Sequence, residues 1–260
     1  MDATEKDKRK LRTLILAAGK GTRMKSDLAK VLHTLCGRPL LAYSIAVAKA
    51  LNSEEIIVVI GHQADLIRRD FSDQGLIFVE QRQQLGTGHA VLQARDLFRH
   101  YRGDVLILCG DVPLLKPATA EALIAGHRKE AAAVTVLTTI LDNPTGYGRM
   151  VKGQGNRVLR IVEERDATEA EKKIREINTG IYCARADFLF DAVGRINNEN
   201  AQKEYYLTDI VEIAKTDGLS VDACLARDPT EVLGINTVDE LFRAAGVLEN
   251  RERTAGLGAS

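Results

Sequence analysis

Short, almost purely apolar segments recur along the first half of the chain, and stretches of helical periodicity separate them. The clearest apolar segments cover residues 14–18, 56–60 and 105–109. Strands that are apolar on both faces are typical of parallel sheets covered by helices on two sides. Each segment is far shorter than the roughly 20 residues that a membrane-spanning helix needs. The pattern therefore predicts an α/β protein and argues against a membrane partner.

The predicted elements alternate between strand and helix in the first half and then change character. Strands are predicted at 13–17, 56–60, 76–79, 104–109 and 133–139, and helices at 39–51, 64–71, 87–100 and 117–129. In the second half, residues 148–152 and 157–163 flank a glycine-rich turn and predict an antiparallel hairpin. Further strands are predicted at 177–184 and 221–224, and helices near 187–195, 207–216 and 238–250.

We therefore predict an α/β, Rossmann-like, mixed but mostly parallel sheet with helices on both faces and a small β-rich lobe. The expected organisation is a disordered tail over residues 1–12, one domain over 13–236, and a C-terminal helix and tail over 237–260. The domain divides into halves of about 13–140 and 141–236. Because no linker composition separates the halves, two lobes of one domain fit the sequence better than two domains.

Charge and cysteine usage narrow the class of protein. The chain has 36 Lys and Arg residues against 36 Asp and Glu residues. This balance removes the broad positive surface expected of a nucleic-acid-binding protein. The four cysteines are widely spaced, without CxxC spacing or a Cys/His cluster that would indicate zinc. Since the first 12 residues also lack the apolar segment of a signal peptide, we expect a cytoplasmic protein.

A glycine-containing loop follows the first predicted strand. Gly19 and Gly21 allow backbone amides to approach a ligand closely, and Arg23 and Lys30 add positive charge nearby. Open α/β sheets bind ligands at the carboxyl ends of parallel strands, which is where this loop lies. Neither the GxxxxGK[ST] nor the GxGxxG pattern is present in it. The loop predicts a polyphosphate site, and a tight turn with solvated cations is the alternative.

Several further segments occur in an order that resembles the uridylyltransferase domain of the bacterial GlmU family of sugar-phosphate nucleotidyltransferases. They are LAAGKGTRM at 16–24 with KVL at 30–32, QLGTGHA at 84–90, GDVPL at 110–114, PTGYGR at 144–149, VEE at 162–164, EINTGIY at 176–182, NAQKEYYLTD at 200–209 and GIN at 234–236. The resemblance covers about residues 12–250.

The resemblance implies the nucleotide-diphospho-sugar transferase fold, with a nucleotide-binding half at 13–140 and a sugar-binding half at 141–236. It implies transfer of UMP from UTP to N-acetylglucosamine 1-phosphate, which gives UDP-N-acetylglucosamine and pyrophosphate with Mg²⁺ as cofactor. The expected step is an in-line attack on the α-phosphate. A related transferase with another base or sugar, and a non-catalytic nucleotide-sugar-binding protein, are the alternatives.

The resemblance also implies roles for individual residues. The catalytic cations would be Arg23 and Lys30, and the metal ligands Asp111 and Asn236. The nucleotide would contact Leu16, Ala17, Ala18, Gly19, Gln81, Gly86, Thr87, Cys109 and Gly110. The sugar would contact Gly148, Glu163, Asn178 and Thr208. Carboxylate and amide oxygens are reasonable ligands for Mg²⁺, and the Gln81 carboxamide suits the edge of uracil.

Each of these residues also has a purely structural interpretation. Asp111 could be a turn residue or a helix cap, and Asn236 could cap the final helix. Thr208 could equally cap the helix that follows it. Gln81 and Glu163 could be exposed polar residues on the surface.

Three departures from the family pattern are visible. Family members commonly have proline at position 29 and tyrosine at position 109, where this chain has Ala29 and Cys109. We find no hexapeptide repeat, so we expect no acetyltransferase domain in the chain as given. The final helix carries an apolar stripe for which packing on its own core is the prediction and homo-oligomer contact the alternative. The stripe consists of Val238, Leu241, Phe242, Ala245 and Leu248.

Overall fold

A computed structural model describes residues 10–257, which form a mixed sheet between layers of helices. The strands are β1 (Leu11–Ala17), β2 (Thr34–Leu35), β3 (Arg38–Pro39), β4 (Ile56–Ile60), β5 (Ile77–Glu80), β6 (Asp104–Cys109), β7 (Val134–Ile140), β8 (Arg149–Lys152), β9 (Val158–Val162), β10 (Glu176–Arg185) and β11 (Val221–Leu225). The helices are α1 (Leu40–Ala50), α2 (Ala64–Asp70), α3 (Thr87–Leu92), α4 (Pro117–Lys129), α5 (Ala186–Ala192), α6 (Asp209–Thr216) and α7 (Val238–Leu257).

The main sheet has the strand order β11-β7-β10-β6-β1-β4-β5. Strand β1 pairs in parallel with β4 and β6, β4 with β5, and β7 with β11. Strand β10 runs antiparallel between β6 and β7, which makes the sheet mixed. The hairpin of β8 and β9 joins the sheet through β10 and forms the smaller lobe. The predicted fold class is therefore confirmed.

Both faces of the sheet are buried, because helices cover each of them. Neighbouring residues of a strand point to opposite faces and therefore enter different cores. Leu14 and Ile57 face one core with side chains of α3, α5 and α6. Ile15 and Val58 face the other core with side chains of α1, α2 and α4. All four strand residues are fully buried. This two-sided burial is the physical reason for the continuous apolar segments in the sequence.

The predicted N-terminal tail is too long by at least two residues. Leu11 and Arg12 belong to β1, where they pair with Asp104 and Val105 of β6. Leu11 is buried, and the Arg12 guanidinium lies 4.3 Å from the centre of the Tyr101 ring. The charged residue Arg12 therefore extends β1, and its polarity alone led to the wrong assignment to the tail. Residues 1–9 of that predicted tail lie outside the described residues.

The single helix predicted over 87–100 is wrong in its second half. Helix α3 ends at Leu92, and a separate 3-10 turn covers Arg95–Phe98. The Phe98 ring stacks on Phe190 of α5 at 4.6 Å between ring centres, and it also contacts Tyr101. The tighter turn accompanies this aromatic packing, a tertiary interaction that helical periodicity does not encode.

Helix α7 packs on the domain with only part of its predicted apolar stripe. Leu241, Ala245 and Leu248 join a small core with side chains of β2 and α1, as predicted. Val238 and Phe242 are 47% and 73% exposed, so the prediction that they pack on the core is wrong. They lie one turn apart at i and i+4 on a side of the helix that the core does not reach.

Among the helices of residues 10–257, none has the length and apolar character needed to cross a membrane.

We expect Leu14→Ala to lower the free energy of unfolding by about 2–5 kcal/mol, because it leaves a cavity at the centre of the sheet. Leu97→Ala is the matched control, since the Leu97 side chain is 37% exposed. Urea denaturation followed by circular dichroism measures both changes. Equal destabilisation by the two variants would contradict the assignment of Leu14 to the core.

Candidate active site

The candidate site lies where β1 and β6 end side by side. Leu16 and Cys109 are partners at the ends of these parallel strands, and the amide of Gly110 donates to the Leu16 carbonyl at 2.9 Å. A cavity of about 350 Å³ opens at this edge. It is lined by the predicted nucleotide contacts Leu16, Ala17, Ala18, Gly19, Gln81, Gly86, Thr87 and Cys109. The predicted residues Lys30 and Asp111 also line it.

Gly110 is the predicted nucleotide contact that does not line the cavity. A Cβ atom at this position would lie 3.1 Å from Cγ1 of Val31 and 3.2 Å from the Leu16 carbonyl oxygen. Gly110 therefore lets the loop after β6 pack closely on β1. Gly110 thus affects the shape of the site through this packing and does not line the cavity.

Gly21 fixes the path of the loop that follows β1. Its φ angle of 67° is in the left-handed region, and a Cβ atom there would collide with the Lys30 side chain. Met24 is buried at 2% exposure and anchors the end of the same loop. The predicted cation Lys30 is thus held against the glycine loop by packing.

The predicted cations and metal ligands form one cluster. The Lys30 ammonium donates to Oδ2 of Asp111 and, at 3.1 Å, to Oδ1 of Asn236. The Arg23 guanidinium donates to the same Asn236 oxygen at 2.8 Å. These four residues come from the loop after β1, the loop after β6 and the segment before α7. A carboxylate and an amide oxygen therefore already converge on a shared cation.

This pair of oxygens fits a hard divalent cation. Such ions are commonly bound through one or two protein oxygens, with phosphate oxygens and water completing the shell. Within the described part of the chain, no group of three or more His, Cys, Asp or Glu residues could hold a metal by itself. Asp111 and Asn236 thus suit an ion that arrives with a phosphorylated ligand.

The two capping interpretations for these ligands are wrong. The Asp111 carboxylate bonds to Lys30 and caps no helix. At the start of α7 the cap is a box of Thr237 and Glu240: Glu240 accepts from the backbone amides of Asn236 and Thr237, at 2.6 and 3.0 Å. The Thr237 hydroxyl accepts from the Glu240 amide in return. The Asn236 side chain is therefore free to face the site, and the Thr-x-x-Glu spacing was the sequence signal that we missed.

The segment around Tyr205 in the second half forms hydrogen bonds with the glycine-rich turn at the start of α3. The Gly88 amide donates to the Tyr205 carbonyl at 2.8 Å, and the Tyr205 amide donates to the Leu85 carbonyl at 2.8 Å. The Leu207 amide donates to the Thr87 hydroxyl at 3.0 Å. Gly86 has a φ angle of 109°, and a Cβ atom there would lie 2.6 Å from the Tyr205 carbonyl oxygen. Only glycine fits this close crossing of two backbones.

Gln81 is only 3% exposed, so the interpretation of an exposed polar residue is wrong. Its Nε2 atom donates to the Gly86 carbonyl at 3.0 Å and lies 3.0 Å from Nδ1 of His89. The carboxamide is therefore held in a defined orientation at the wall of the cavity.

The four predicted sugar contacts form a second cluster between β8, β9, β10 and α6. The Thr208 hydroxyl donates to Oε1 of Glu163 at 3.1 Å, so Thr208 does not cap α6 with its side chain. The Asn178 amide donates to the Gly148 carbonyl at 2.9 Å. A Cβ atom on Gly148 would lie 3.4 Å from both carboxylate oxygens of Glu163.

Burial controls the ionisation of this second cluster. Removal of the Glu163 carboxylate from water raises its pKa, against an opposing hydrogen bond from Thr208. Burial, with Glu212 and Asp166 nearby, raises the pKa of Asp209 to about 6. Glu163 is therefore a half-buried acid, and its interpretation as an exposed surface charge is wrong.

Cys109 connects the two clusters. Its thiol lies 3.4 Å from the carbonyl oxygen of Gly180, two residues after the predicted sugar contact Asn178 in β10. Burial, reinforced by the negative charge of Asp111, raises the pKa of the thiol to about 12. Cys109 thus stays protonated and acts as a small packing residue between Asp111 and β10.

Sequence reasoning missed the role of Arg149, which is 1% exposed. Its guanidinium pairs with Glu164 at 2.6 Å and donates to the Tyr147 carbonyl. Glu164 in turn accepts from the Gly146 amide at 3.1 Å. Arg149 therefore ties the loop before β8 to the end of β9. Its place in the PTGYGR segment was the available signal.

Together, the sheet edge, the glycine loop with its cations and the adjoining acid and amide cluster define a nucleotide-binding α/β domain of the transferase type. The sequence matches the MobA-like NTP transferase domain over residues 13–176. The chain belongs to this family.

The chain is also similar to curated proteins named bifunctional protein GlmU. It is 52% identical to the one from Geobacter metallireducens over 242 residues, which is 93% of this chain and 51% of the relative. The identity is 51% over 236 residues for Geobacter sulfurreducens, or 90% of this chain and 50% of the relative. For Desulfotalea psychrophila it is 47% over 241 residues, or 93% and 71%. The chain spans about half the length of the two Geobacter relatives.

We expect Lys30→Ala to tighten the binding of free Mn²⁺ or Mg²⁺ about fivefold, because a competing ammonium leaves Asp111 and Asn236. That factor corresponds to roughly 1 kcal/mol, the upper range for a partly exposed ion pair. Calorimetric titration of the apo protein with each metal measures the change, and Lys20→Ala, at an exposed lysine, is the control. Unchanged or weaker binding would show that Lys30 does not compete for the metal position.

We expect Glu163→Gln to raise the free energy of unfolding at pH 8 and to change it much less near pH 4.5, the ordinary pKa of a glutamate. A carboxyl whose pKa is raised by folding favours the folded state at low pH and loses that contribution as pH rises through the raised value. Urea denaturation at both pH values measures the difference. Glu199→Gln at an exposed glutamate is the control, and an equal effect of Glu163→Gln at both pH values would contradict the burial argument.

Proposed function

We propose that the chain transfers UMP from UTP to N-acetylglucosamine 1-phosphate, with UDP-N-acetylglucosamine and pyrophosphate as products. The observation that carries this proposal is the convergence of Lys30, Arg23, Asp111 and Asn236 at the glycine-loop cavity, which Lys30 and Asp111 line. Such a convergence would bring two phosphorylated reactants to one point. The resemblance of the ordered motifs to uridylyltransferase domains supplies the base and the sugar.

The chemistry needs positioning and positive charge more than it needs a base. The attacking phosphate oxygen is already anionic, and the barrier comes from bringing anions together and from charge on the departing pyrophosphate. Lys30 and Arg23 would bind phosphate oxygens, with the backbone amides of the glycine loop. Asp111 and Asn236 would hold a divalent cation, which we propose to be Mg²⁺. When bound, the ion would neutralise phosphate charge.

The first half of the domain would bind the uridine, and the second half would bind the sugar. Residues 13–140 supply most of the cavity at the glycine loop, where Gln81, Gly86 and Thr87 would contact the uridine. Residues 141–236 supply Gly148, Glu163, Asn178 and Thr208, whose carboxylate, amide and hydroxyl groups suit the hydroxyls and N-acetyl group of the sugar. Glu204 of this second half also lines the nucleotide cavity.

Pyrophosphate release tests the proposal. We expect the protein to release pyrophosphate from UTP, Mg²⁺ and N-acetylglucosamine 1-phosphate, and Asp111→Ala to lower kcat by about 100-fold or more. Asp96→Ala, at an exposed carboxylate paired with Arg99, is the control and should leave the rate unchanged.

A panel of nucleoside triphosphates and sugar 1-phosphates distinguishes the outcomes. Faster turnover of another pair would assign a different base or sugar. Tight binding of UDP-N-acetylglucosamine by folded protein without turnover of any pair would contradict catalysis and favour a nucleotide-sugar-binding protein.

A further inference from the structure

The orientation of the Gln81 carboxamide depends on a histidine behind the cavity. Both hydrogens of the Gln81 amide nitrogen have partners, the Gly86 carbonyl at 3.0 Å and Nδ1 of His89 at 3.0 Å. Among residues 10–257, Oε1 of Gln81 accepts no hydrogen bond and is not one of the fully buried unpaired atoms. This oxygen is therefore open to the cavity that Gln81 lines.

The His89 ring lies between the side-chain carboxamides of Gln81 and Gln93, and the protonation of its two nitrogens restricts the orientation of both carboxamides. Nε2 of His89 lies 3.1 Å from the side-chain amide of Gln93, on the side away from Gln81. A neutral imidazole has one donor and one acceptor nitrogen, so the ring cannot accept from an amide nitrogen on each side. One of the two carboxamides must present its oxygen to the ring.

Gln93 is the carboxamide that can present oxygen. Its amide nitrogen also donates to the His89 backbone carbonyl at 3.1 Å, but Gln93 is half-buried, so water can replace it at that carbonyl after the amide rotates. The same rotation at Gln81 would place its oxygen about as close to the Gly86 carbonyl oxygen as the amide nitrogen now lies, at a side chain that is 3% exposed. A contact between two acceptors is less favourable at this buried position than at the half-buried Gln93, where water can intervene. His89 therefore carries its proton on Nε2 and accepts from Gln81 through Nδ1.

We propose that His89 is a positioning residue that makes the cavity selective for a base with an N–H group on its pairing edge. Because Nδ1 of His89 and the Gly86 carbonyl together hold the Gln81 amide nitrogen inward, only the carboxamide oxygen faces the ligand. Uracil presents its N3–H to such an oxygen, whereas N3 of cytosine is an acceptor and would face it without a hydrogen. This inference rests on the proposed function, since it assumes that a nucleobase occupies the cavity.

The test compares UTP with CTP in matched histidine variants. We expect His89→Leu to lower the ratio of kcat/KM for UTP over CTP about tenfold, because only the Gly86 carbonyl then opposes rotation of the Gln81 amide, and either end of the amide can face the base. His89→Asn offers a short carboxamide oxygen toward Gln81 and should retain most of the selectivity. His100→Leu, at an exposed histidine away from the cavity, should change nothing. A merely structural role of His89 would lower both kcat/KM values and leave their ratio intact.

A second measurement does not depend on activity. Long-range ¹H–¹⁵N spectra of the wild-type protein report which imidazole nitrogen carries the proton, and we expect Nε2–H for His89. A proton on Nδ1, or an unchanged UTP-to-CTP ratio in folded His89→Leu, would overturn the proposal. If the wild-type protein turns over neither nucleotide, the proposed function fails, while the spectrum and the relative binding of UTP and CTP by the same variants still decide the role of His89.

Discussion

The ion pair between Lys30 and Asp111 holds the candidate site together. It joins the loop after β1 to the loop after β6, and the shared contact with Asn236 adds the segment before α7. The two side chains are 16% and 19% exposed, so the pair is neither a weak surface contact nor sealed in the interior. Asp111 consequently has a cation partner within the chain itself, and a divalent ion would exchange one cation for another.

The location of the site was predictable from the sequence because it follows from the sheet. Continuous apolar segments predicted β4 and β6, helical periodicity predicted α4, and the structure gives all three with the predicted bounds. Since parallel strands end at the same edge, Gly19 and Asp111 had to lie near one another. The assignment of individual roles came from the resemblance, which local patterns alone could not supply.

Other features depend on contacts between distant parts of the chain and had no local pattern. Arg149 resembles an ordinary charged strand residue until Glu164 and the Tyr147 carbonyl surround it. The break after α3 accompanies the stacking of Phe98 on Phe190. The close crossing of Gly86 and Tyr205 brings Glu204 of the second half to the nucleotide cavity. Residues from both sides of the predicted boundary near residue 140 therefore line this cavity.

The capping box at the start of α7 has a consequence for local motion. Glu240 accepts from the backbone amide of Asn236, while the side chain of Asn236 faces Lys30 and Arg23. Fraying of this first helical turn would release the Asn236 backbone and withdraw its oxygen from the cluster in the same event. Amide hydrogen exchange at Asn236 and Thr237 would therefore slow when the cluster is occupied, and the start of α7 would report on an ion that, in this segment, only the Asn236 side chain contacts.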